Sequence, residues 1–134
     1  MVSAKYCLAS ILSGVLWGIL GSVIFKGISD VWFAVAASPL IGLAAGLLFL
    51  PACRWSLTKR IFLSLATLFV GVTLFGLCAG IQEGLQHDPN VLLSIAENIL
   101  AIWWGLTFGY FLFLWPLSFA NHALVCRFAT PKAR

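Results

Sequence analysis

Pro51-Ala52-Cys53-Arg54-Trp55-Ser56-Leu57-Thr58-Lys59-Arg60 is the only interior stretch of the chain that gathers positive charge, with three basic residues and no acid. Two long apolar runs precede it and two follow it. An α-helix rises about 1.5 Å per residue, so about 20 apolar residues cross the roughly 30 Å hydrocarbon core of a bilayer. The four runs, at about 6–25, 31–50, 61–81 and 95–119, reach that length. The decapeptide thus reads as the central loop of a membrane protein. The expected fold is all-α: a single integral membrane domain of four transmembrane helices in an antiparallel bundle.

Composition points the same way. The 134 residues are 62% hydrophobic and 9% charged, whereas soluble domains carry roughly 25% charged residues. The first run follows Lys5 and resembles a signal peptide at first sight. Cleavable apolar regions are shorter, about 7–15 residues, and end in small residues. This one ends in Phe25-Lys26-Gly27-Ile28, and a retained span is expected.

Charge sets the expected orientation. Lys5, Arg54, Lys59, Arg60, Arg127, Lys132 and Arg134 fall on one side of the four runs and Lys26 alone on the other. Short loops rich in Lys and Arg stay in the cytoplasm. Both termini and the central loop are therefore expected inside, in a bacterial inner (cytoplasmic) membrane. Asp30, Glu83, Asp88 and Glu97 gather at the opposite end. The basic residues form neither patch nor stripe, which argues against a nucleic-acid partner.

Outward from the loop, each run carries one GxxxG: Gly42 and Gly46, Gly76 and Gly80, then Gly14 and Gly18, and Gly105 and Gly109. Glycines four apart let helix backbones approach closely. Four such pairs imply tight packing, with surface left for a second copy or another subunit. Pro39 and Pro116 lie inside runs and are expected to kink them. Pro39 frees the carbonyl of Val35, for which Ser38 is a candidate partner. Gln82 to Asn90 reads as a polar loop. The fourth span is expected to start at Asp88-Pro89, or at the capping box Ser94-Ile95-Ala96-Glu97.

Chemistry is sparse. Glu97 and Asn98 are the one candidate polar or ion site, at the outer end of the fourth span, where Glu97 caps the helix or opens a proton or cation path. His87 beside Asp88, and His122 four residues before Cys126, are too few ligands for a metal, so no metal or cofactor is expected. Cys7, Cys53, Cys78 and Cys126 show no paired spacing. Three of them lie toward the reducing face, so no structural disulfide is expected. There is no GxSxG, HExxH or P-loop, and no enzyme activity is expected. The leading expectation is a non-catalytic subunit or accessory protein whose partners are the lipid bilayer and other membrane subunits or further copies of itself. The alternatives are a homo-oligomeric channel or small transporter using Glu97 and Asn98, and a lipid- or quinone-binding protein.

Overall fold

Glycine faces decide which helices pair. The computed structural model describes residues 3–25, 32–86 and 90–129, all of them helical apart from short turns. Lys26, Asp30, His87, Asp88, Pro89, Pro131, Lys132 and Arg134, which carried part of the topology and loop expectations, lie outside the described residues. Helix α1 is Ala4–Phe25, α2 Trp32–Phe49, α3 Leu57–Gln86, α4 Val91–Gly105 and α5 Phe111–Cys126. A 3-10 turn, Leu50–Arg54, prolongs α2, and a π-helical turn, Leu106–Tyr110, joins α4 to α5. Four segments are therefore long and apolar enough to cross a membrane: Ala4–Phe25, Trp32–Arg54, Leu57–Gln86 and Val91–Cys126.

Helices α1 and α2 form the most extensive contact, with α3 on α4 close behind. On the first pair, Gly42 lies against the backbone of Ser10 and Gly14, Gly46 against Ser10, and Gly18 against Ser38 and Val35. On the second, Gly76 meets Ile99, Gly80 meets Ile95, and Gly84 meets Val91. Both pairs bring backbones together at spots where a side chain would not fit. Between them the contact is thinner, carried by Phe25, Leu68, Val72, Ile102, Leu106 and Leu114.

Polar side chains stitch the helices where lipid offers no hydrogen bonds. The Tyr6 hydroxyl donates to the Gly46 carbonyl. Ser38 Oγ donates to Val35 O at 2.7 Å, serving the carbonyl that Pro39 leaves without its helical N–H. Ser118 of α5 donates to Ser64 O of α3 at 3.0 Å, and Trp103 Nε1 to Thr73 Oγ1 at 3.0 Å.

Four expectations need correction. Gln82 to Gln86 are the last turn of α3 rather than loop, because Gly84 continues the Gly76–Gly80 face and packs on Val91. The fourth span starts at neither expected site. Asn90 caps α4, its side chain accepting from Leu93 N, and Ser94 lies a turn inside. The helix also runs past Phe119 to Cys126. Lastly, Cys53 and Cys126 form a disulfide, their Cα atoms 5.2 Å apart. The ends of the second and fourth segments meet at one end of the molecule, and that proximity is invisible in cysteine spacing.

Candidate functional site

Glu97 and Asn98 do not share a face, since consecutive helical residues point about 100° apart. Glu97 is exposed, whereas Asn98 is only 4% exposed. Asn98 turns toward α3, where its amide donates to Glu83 and to Ser94 O. Glu83, which the loop assignment had set aside, is thus the carboxylate that Asn98 meets. Nearby, Gln82 accepts from the Phe33 N–H at 2.9 Å and serves the first turn of α2. Gln82 Nε2, Ser94 Oγ and Asn98 Oδ1 are buried without a partner. These groups knit α2, α3 and α4 at one end of the molecule.

The larger feature lies between the two helix pairs. A cavity of about 210 Å³ runs there, lined by α1, α2, α3 and α5. Its wall on α1 extends from Tyr6 to Phe25. Nineteen residue steps at 1.5 Å make a groove about 28 Å long, close to the thickness of a hydrocarbon core. Narrow glycine and serine faces on α1 and α2 leave the space, and Gly71 on α3 widens it. A Cβ on Gly71 would touch nothing within 4 Å.

The two ends of this groove differ. Leu20, Ile24, Phe25 and Phe75 line one, with the Phe25 and Phe75 rings 5.8 Å apart. Tyr6, Ser13, Asn121 and His122 line the other, where Asn121 Nδ2 donates to Ser13 Oγ at 2.8 Å. His122 Nε2 lies 3.7 Å from Cys126 Sγ, so the disulfide closes the polar end. Arg60, whose Nε is buried without a partner, is near enough for its charge to act on His122. No Asp, Glu, Lys or Arg lines the groove.

The nominated residues divide accordingly. Gly14, Gly18, Gly42 and Gly46 both pack α1 on α2 and line the groove. Gly76 and Gly80 serve the α3–α4 contact alone. Gly105 approaches the Phe25 ring at 3.4 Å, and Gly109 faces open space. Pro39 and Pro116 sit inside helices α2 and α5. Among the described residues no three His, Cys, Asp or Glu side chains cluster as metal ligands. Asn121 and Ser13 were missed from sequence, because their partnership spans the full length of the chain.

The residues define a helical protein whose segments are fit to cross a membrane, with a groove between two helix pairs. Comparison with protein-family models, curated proteins and solved structures finds no match.

Proposed function

We propose that this is a non-catalytic integral membrane protein that holds one lipid-like molecule between two helical hairpins. The hairpins form an antiparallel four-helix bundle in a bacterial inner membrane, with both termini and the Arg54–Arg60 loop in the cytoplasm, as the basic residues require. The Cys53–Cys126 bond then lies at the reducing face, open to thiol exchange. The observation that carries the proposal is the groove itself: bilayer-long, apolar through most of its length and polar at one end. Its lack of charged groups speaks against an ion path. Most GxxxG glycines pack within the chain, which removes much of the case for an assembly subunit.

One feature favours a second reading, an accessory subunit. Gly109 is open, and Trp104, Phe108, Leu112 and Phe113 around it are strongly exposed. A partner helix seated there would use the one glycine pair that internal packing leaves over.

Native mass spectrometry of the protein released from mild detergent separates the two. Bound guest gives a one-to-one adduct in the wild type that disappears in Gly71→Leu, which fills the groove. A stoichiometric foreign protein lost in Gly109→Leu, with no lipid adduct, would replace the first reading by the second.

A further inference from the structure

The lining carries enough chemistry to name the class of guest, an inference that rests on the lipid-holding function proposed above. Width comes first. About 210 Å³ spread along a groove about 28 Å long leaves room for one chain rather than the two of a membrane phospholipid. Polarity sets direction, since Tyr6, Ser13, Asn121 and His122 share one end and aromatic and branched side chains occupy the other.

Hydrogen-bond accounting sets the head. The Tyr6 hydroxyl proton is spent on Gly46 O, and those of Ser38, Thr67 and Ser118 on helix carbonyls. Asn121 uses one amide N–H on Ser13 Oγ. Its second N–H and the Ser13 O–H remain for a guest. The polar end therefore offers donors, and it calls for an oxygen that accepts them. A full negative charge has no counter-ion in the lining, and an unpaired charge is costly to bury. Arg60 lies outside the wall, behind His122. Its field favours the partial negative charge of a carbonyl oxygen.

We propose that the groove binds a single-chain lipid with an uncharged, carbonyl-bearing head, the head at Asn121 and Ser13 and the chain toward Phe25. A prenylquinone and a monoacylglycerol both carry that chemistry.

The test uses full-length protein stripped of lipid in mild detergent and reloaded with one of three probes: a prenylquinone, a monoacylglycerol or a free fatty acid. One-to-one binding is titrated by native mass spectrometry for wild type, Gly71→Leu, Asn121→Leu and the milder Ser13→Ala. At least one neutral probe is expected to bind saturably, and which one does so identifies the source. Its affinity should fall about tenfold in Asn121→Leu and severalfold in Ser13→Ala, the scale of lost hydrogen bonds. Should Asn121→Leu not fold, Ser13→Ala decides. Tighter binding of the fatty acid would overturn the head assignment, as would neutral-probe binding that Ser13→Ala and Asn121→Leu leave unchanged. If Gly71→Leu still abolishes binding, the groove remains a lipid site. No binding by any probe, with Gly71→Leu equal to wild type, would end both proposals.

Discussion

Changing Gly42 to alanine adds one methyl group, and the structure fixes what it meets. The new Cβ would fall 2.5 Å from Ser10 O, 2.6 Å from Gly14 Cα and 2.7 Å from Gly14 N. All three are backbone atoms of α1, so no side chain can swing aside. Ordinary contact begins at 3.4 Å, and the helices must part locally by about 1 Å to restore it. A gap of that size forfeits about a quarter to a half of each neighbouring dispersion contact, and overpacking typically costs about 1–3 kcal/mol. Alanine also favours the helix over glycine by about 1 kcal/mol. Gly71→Ala isolates that gain, because its Cβ meets nothing within 4 Å. The two variants should therefore differ in stability by about 2–4 kcal/mol, Gly42→Ala falling below wild type and Gly71→Ala at or above it. Titration with a denaturing detergent in mixed micelles, followed by loss of helical circular dichroism, measures the difference. Equal stability of the two variants within about 0.5 kcal/mol would refute the close α1–α2 contact.

Three further outcomes follow from the same contacts. Gln82→Leu leaves the Phe33 N–H without its acceptor and should cost about 1–3 kcal/mol, read as faster amide exchange confined to the first turn of α2; unchanged exchange would contradict that cap. Asn98→Leu should destabilise by a similar amount, since it strands Glu83, while Glu97→Gln stays within about 0.5 kcal/mol because Glu97 is exposed; a larger loss in Glu97→Gln would reverse the assignment. Reducing Cys53–Cys126, or replacing Cys53 by Ser, opens a loop with a sequence separation of 73. The loss, from the same detergent titration with and without reductant, is bounded by the chain-entropy value of about 4 kcal/mol and is smaller where the spans stay inserted. No change would mean that the bond is not formed.

Much of the fold was legible in the sequence because a bilayer admits few solutions. Apolar runs of sufficient length give helices, and glycines four apart mark where helices meet. The readings that failed each depended on something a linear pattern does not carry. Gln82 and Glu83 look like loop residues, yet they are helical because their polar groups find partners on α2 and α4. A signal was present there: Gly84 keeps the spacing of Gly76 and Gly80. The disulfide and the Ser13–Asn121 pair depend on which segment ends coincide in space, over separations of 73 and 108 residues. The π-helical turn at Leu106–Tyr110 carries no residue pattern that we can tie to it. Glu97 drew attention as a charge beside an apolar run, while the groove went unseen because small and apolar residues line most of it.

The groove's occupant is most directly tested by reading which lipid touches it in the native membrane. A photoreactive diazirine side chain at Ile41, which lines the groove, is compared with one at Leu112, which is 87% exposed. Illumination followed by mass analysis of the crosslinked lipid should give one dominant single-chain species at position 41 and the bulk membrane mixture at position 112. The same mixture at both positions would contradict a specific guest between the hairpins.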